Sequence, residues 1–119
     1  MDKEALQQAF NKAYLGLKAQ GFERSHKGGS GCRYRGPDGK KCAIGHMIPD
    51  EHYRPEMEGG SVCFIAESYP EALPVGLRGI PAQHALHRLQ RCHDQASNPE
   101  DMKRRLVNYA EDWELTVPE

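Results

Sequence analysis

The chain lacks a long hydrophobic run. No stretch approaches the ~20 consecutive apolar residues that a membrane-spanning helix requires. It also lacks a charged-then-apolar start with a small-residue cleavage site, so an intracellular, cytoplasmic protein without a membrane part is expected. It lacks net charge of either sign: 16 Lys and Arg against 17 Asp and Glu give −1. That balance argues against an acidic mimic of nucleic acid. It also argues against a strongly non-specific nucleic-acid binder, whose affinity scales with the phosphates it neutralises. There is no P-loop, no dinucleotide fingerprint, no His-Glu-x-x-His and no Gly-x-Ser-x-Gly, so no common catalytic signature is legible. There is no Cys-x-x-Cys either, and four cysteines in a reducing compartment read as thiols or metal ligands before disulfides.

What is present is a dense central run, Cys32-Arg-Tyr-Arg-Gly-Pro-Asp-Gly-Lys-Lys-Cys42-Ala-Ile-Gly-His46-Met-Ile-Pro-Asp-Glu-His-Tyr53. Gly36-Pro37-Asp38-Gly39 is strong turn chemistry: proline presets φ, aspartate bonds locally and glycine accepts positive φ. With a bulged loop at Pro37–Gly39, Tyr34 would oppose Cys42 and Cys32 would oppose Ile44. Side chains alternate along a strand, so Cys32, Tyr34, Cys42 and Ile44 would share an apolar face, and Arg33, Arg35 and Lys41 a cationic one.

Around this run the pattern is helical. Asp2 caps a first helix with Leu6, Phe10, Ala13, Tyr14 and Leu17 on one stripe, stopped by Gly21, with Phe22 folding back. Glu23–Gly31 reads as loop. Ile48–Tyr53 reads as a short helical turn, stopped by Arg54-Pro55. Ser61 and the spacing of Val62, Ile65, Ala66 and Tyr69 favour a short helix over a strand. Leu73–Ile80 reads as a Gly/Pro loop. Pro81 opens a helix whose stripe is Ala85, Leu86, Leu89, Cys92, His93 and Ala96. Asn98-Pro99-Glu100-Asp101 starts the last helix, with Met102, Leu106, Tyr109, Ala110 and Trp113 inward. The expected fold is one α+β domain over residues 1–119. It is mainly helical, with three main helices and a small β-hairpin and short helical turns inserted between the first two. Phe10, Tyr14, Tyr109 and Trp113 are expected to meet in its core.

Charge is unevenly spread. Residues 24–41 hold six Lys or Arg and one acid, whereas residues 49–75 hold six acids and one Arg. The hairpin's cationic face, Arg33, Arg35, Lys40 and Lys41, with Tyr34 and Tyr53 beside it, is the expected binding surface, because arginine is favoured at interfaces and phosphate sites. The competing reading is a solvated face. Cys32, Cys42, His46 and Cys63 have the ligand types of a zinc site, but their spacing is wrong for a knuckle. Buried thiols explain the hairpin cysteines as well, so no metal is assigned and zinc stands as the alternative. His84, His87 and the pair His93-Asp94 share a helix. His-Asp is common to metal phosphohydrolases, but the further ligands are missing, and a packed, hydrogen-bonded imidazole is the simpler reading. Cys63 and Cys92 have no legible thiolate-stabilising context.

The run Cys-x-Tyr-Arg-Gly-Pro-Asp-Gly-Lys-Lys-Cys-Ala-Ile-Gly, followed by Ile48-Pro-Asp-Glu-x-Tyr53 and Glu56-Met-Glu-Gly59, resembles a group of short uncharacterised proteins of bacteriophages and prophages. Leu86-x-x-Leu89-Gln-x-x-His93-Asp94 resembles a second signature of that group. The resemblance spans about two-thirds of the chain and labels a family without assigning it an activity. It implies an accessory protein made inside the bacterial cell, of a class that often works by binding host machinery. The expected function is therefore non-enzymatic: stoichiometric binding to a host protein or nucleoprotein complex, with inhibition of a host defence system such as CRISPR interference as one role. The alternative is a small nucleic-acid-binding protein, with or without zinc, that uses the hairpin and Lys103–Arg105. A phosphohydrolase acting through His93-Asp94 is the third reading.

Overall fold

The computed structural model describes residues 2–118 except 25, 28, 29, 37 and 38, and the backbone alone at 26, 27 and 30–32. Its architecture follows from helix starts and stops written in the sequence. Asp2 accepts from the backbone N–H groups of Glu4 and Ala5 and starts α1 (Lys3–Ala19). At the other end Gly21 takes φ 74° and the Phe22 N–H bonds Leu17 O at 2.7 Å. This turns the Phe22 ring back onto Tyr14, with centroids 5.5 Å apart.

After the loop the chain enters α2 (Ala43–Met47), capped by the Cys42 Sγ, which accepts from Gly45 N–H. Two 3-10 turns follow, Asp50–His52 and Pro55–Met57. Ser61 then caps α3 (Val62–Ser68) by accepting from Phe64 N–H at 3.2 Å. Val62 and Ile65 are buried, and Ala66 and Tyr69 are partly so. Short turns at Pro70–Ala72 and Val75–Leu77 lead to α4 (Ile80–Asp94), which has Pro81 in its first turn. Asn98 caps α5 (Pro99–Asp112), accepting from Asp101 N–H at 2.8 Å. Asp101 accepts in return from Ser97 N–H at 2.9 Å, a reciprocal cap that satisfies two orphan donors.

The expected β-hairpin does not form, and the fold is mostly helical rather than α+β. Where its second arm was expected, Cys42–Met47 is a capped helical turn, and Cys42, Ala43, Ile44 and Gly45 are all buried, which an alternating strand cannot achieve. Between the expected arms, among the described residues, a single bridge joins Arg35 to Lys41. Pro37 and Asp38 of the expected turn lie outside the described residues. Among the described residues, other extended pairing is limited to the short pieces His26–Lys27 and Ser30–Cys32. The physical reason is tertiary. Gly45 lies so close to the backbone of Tyr34 that a Cβ there would stand 2.0 Å from Tyr34 O, and Gly16 of α1 faces the His46 ring in the same way. Helix α2 is thereby pressed between α1 and the strand-like segment at Tyr34. That burial outweighs the weak helix propensity of so short a glycine-containing run.

One core results. Leu6, Phe10, Leu17, Ile44, Met57, Ile65, Leu77, Leu86, Leu89, Met102 and Leu106 are fully enclosed. Phe10 stacks on Tyr109 with centroids 5.8 Å apart, and Tyr109 meets Trp113 at 5.8 Å, so the aromatics of the two terminal helices do converge. Among the described residues no helix is long and apolar enough to cross a membrane.

Candidate functional site

The cations expected to form a free binding face are largely turned inward. Glu58, whose side chain is 12% exposed, accepts from the backbone N–H groups of Tyr34 (2.9 Å) and Arg35 (3.0 Å) and from the Tyr53 hydroxyl (2.6 Å). Arg33 lies 4.0 Å from the same carboxylate. The Arg35 guanidinium lies over the Tyr53 ring, 4.5 Å from its centroid, pairs with Asp50 at 2.7 Å and donates to Ile48 O at 3.1 Å. Lys41 approaches Asp50 at 3.9 Å and Lys40 approaches Glu23 at 3.7 Å. Tyr34 is buried, with its hydroxyl donating to Gly60 O at 2.6 Å. Burial, aided by neighbouring anionic groups, pushes its phenol far above the ordinary value. The Tyr53 phenol is pushed up to about 12, first by desolvation and then by its bond to Glu58. The basic run and the acidic run are thus two halves of one clamp, which fastens residues 33–36 to residues 48–60.

The cysteine and histidine residues go to separate tasks. Cys42 is buried and serves as the α2 cap, and burial raises its thiol pKa. The His46 ring packs over Gly16 and contacts Gln20 Oε1 at 2.9 Å. Desolvation, reinforced by Lys41 and His93, lowers its pKa to about 4. Cys63 is exposed beside Glu67, whose hydrogen bond raises its pKa. The Cys32 side chain lies outside the described residues. Among the described residues no group of three or more His, Cys, Asp or Glu is arranged to hold a metal ion.

His93 is fully buried, with Nδ1 2.9 Å from Asp94 Oδ1. Gln90 donates to the same carboxylate oxygen at 2.8 Å while its own oxygen accepts from Ile44 N–H at 2.9 Å. The His-Asp pair therefore belongs to a chain of bonds tying α4 to the first turn of α2.

Open cationic surface is found elsewhere. A cleft of about 430 Å³ runs between the second half of α4 and α5. Arg88 and Arg91 line it from one helix, Arg104 and Arg105 from the other, together with Cys92, Tyr109 and Trp113; Asp112 is the one carboxylate among its lining residues. Arg104 and Arg105 are held by Asp101, the latter at 2.9 Å. The Ser97 N–H bond, followed by these arginines, keeps that carboxyl far below the usual range. With the Gln95 amide turned so that its oxygen faces Arg91, Arg91 donates to it at 2.9 Å. The Arg88 guanidinium makes no hydrogen bond or ion pair among the described residues. Cys92 stays a thiol, its pKa raised by burial to about 11 against the pull of Arg105 and Arg88.

Of this site, the sequence pattern identified the Lys103–Arg105 run but not Arg88, Arg91 or Trp113 as its partners. The available signal was the i, i+3 spacing of Arg88 and Arg91 opposite the apolar stripe of α4. Comparison with known proteins gives no match: no family model, curated protein or solved structure is significantly similar to the chain.

Proposed function

We propose that this is a non-enzymatic accessory protein of phage type. It acts in the bacterial cytoplasm by stoichiometric binding to a host nucleoprotein complex and engages the nucleic-acid backbone through the α4–α5 cleft. The observation that carries this reading is four guanidiniums along one open cleft with a single carboxylate among them. Arginine presents a planar donor fork suited to phosphate oxygens, and a rigid helix pair presents several forks in register. The resemblance to small phage proteins supports the setting, and inhibition of a host defence system is the role such a setting suggests. An affinity pull-down from bacterial lysate, run with and without nuclease and read by mass spectrometry, tests it. Recovery of a nucleoprotein complex that depends on Arg88 and Arg91 and is weakened by nuclease supports the reading. Recovery indifferent to both the arginines and nuclease contradicts it.

A second reading has its own observation. Val75, in the α3–α4 connection, and Ile80, the first residue of α4, are 77% and 80% exposed. Apolar side chains this open favour a protein contact at the start of α4. Charged replacements at both positions should then abolish a nuclease-resistant interaction while leaving nucleic-acid binding intact.

A further inference from the structure

Resting on the nucleic-acid reading above, we propose that the α4–α5 cleft is a single-strand site in which Trp113 is the stacking platform for an unpaired base. The cleft is not uniformly cationic. Arg91, Arg104 and Arg105 lie toward the end where α4 turns into α5, Arg88 lies midway along α4 near Tyr109, and Asp112 and Trp113 lie at the far end of α5. A backbone track for a duplex or a featureless polyanion gains nothing from a carboxylate and an indole at one end. A nucleotide needs that polarity: phosphate at the arginine end, a flat apolar surface for the base at the other, and polar groups such as Asp112 and Asn108 for base edges. Trp113 is half-buried and lines the cleft, with the Tyr109 ring 5.8 Å and the His84 ring 6.5 Å from it between centroids, so neighbouring rings hold the indole in place. Tyr109 is itself buried and donates its hydroxyl to Ala85 O at 2.8 Å, so Trp113 is the more exposed of the two aromatic side chains that line the cleft. A base paired and stacked inside a duplex cannot reach it.

Trp113 is the chain's single tryptophan, so its fluorescence reports on this site alone. The full chain is titrated with oligo(dT) of about 12 nucleotides, with a duplex of the same length and with inorganic polyphosphate; this length is within the span of known single-strand sites. Saturable quenching by the single strand is expected, with labelled-strand anisotropy giving the same affinity. Trp113→Ala should weaken single-strand binding about tenfold to a hundredfold, while Trp113→Phe retains most of it. Trp113→Leu keeps apolar bulk against Tyr109 and replaces the alanine variant if that one unfolds. Equal affinity for strand and duplex, or a strand affinity untouched by loss of the indole, overturns the stacking site but leaves backbone binding standing. Failure of both nucleic acids to bind overturns the parent reading and this one with it.

Discussion

Two arginine-rich regions of this molecule have opposite fates. In residues 33–41 the cations are matched by Glu58, Asp50 and Glu23 from elsewhere in the chain, and Arg35 is stacked on Tyr53. In the α4–α5 cleft, Asp101 holds two arginines from one side and Arg88 makes no ion pair among the described residues. The first region uses its charge in folding, and the second leaves Arg88 and Arg91 without a carboxylate partner among the described residues. Cation density along a sequence therefore does not show which charges stay without a carboxylate partner. What decides is whether the fold delivers carboxylates to the same place.

The comparison can be broken by attacking the clamp. Gly45→Ala should have the largest effect, because the new Cβ would meet the Tyr34 carbonyl oxygen at 2.0 Å and α2 would have to move. A loss of ~3 kcal/mol or more by denaturant unfolding is expected, and a loss below ~1 kcal/mol would show that the α2 packing is loose. Glu58→Ala comes next. It strands the Tyr34 and Arg35 N–H groups and the Tyr53 hydroxyl, at ~1–3 kcal/mol for each buried group left unsatisfied, so ~3 kcal/mol in total is expected after relaxation.

A smaller, pH-dependent effect belongs to His46. Its pKa falls from 6.5 unfolded to about 4 folded, so the unfolded chain binds more protons in that interval. The stability is complete above pH 6.5, is lost progressively as pH falls toward about 4, and changes no further below that. Allowing for solvent screening of a partly exposed ring, the loss is ~1–2 kcal/mol. His46→Gln should remove that part of the slope in unfolding curves taken across the interval; an unchanged slope would assign the titration to another group. Cys63→Ser, at an exposed position away from both regions, should change stability by less than ~0.5 kcal/mol in the same assay.

Much of the scaffold was legible because its signals are local. Asp2, Ser61 and Asn98 sit where caps belong, Gly21 and Phe22 close α1 as their order suggests, and the stripes of α1, α4 and α5 carry the buried residues. The hairpin reading failed for a non-local reason. Cys42-Ala-Ile-Gly has too little helix propensity to declare itself, and its helical form depends on Gly16 and Tyr34 approaching it from elsewhere in the chain. The clamp was illegible for the same reason, since Glu58 and Tyr34 are 24 residues apart and nothing in either segment names the other. The cleft was half legible: Arg104 and Arg105 stood out as a run, but their meeting with Arg88, Arg91 and Trp113 depends on the register of two packed helices.

The central claim is that the Arg33/Arg35 pair belongs to the folding clamp, whereas the Arg88/Arg91 pair is the proposed contact for a partner. Arg33→Glu/Arg35→Glu and Arg88→Glu/Arg91→Glu, compared side by side for thermal unfolding and for single-strand affinity at several salt concentrations, test it most directly. The account predicts that the first double variant melts well below the wild type. The second should melt with the wild type, bind at least ~10-fold more weakly, and show a salt slope shallower by about 1 for each phosphate it no longer neutralises. A stable Arg33/Arg35 variant that fails to bind, beside an Arg88/Arg91 variant that binds normally, would contradict it.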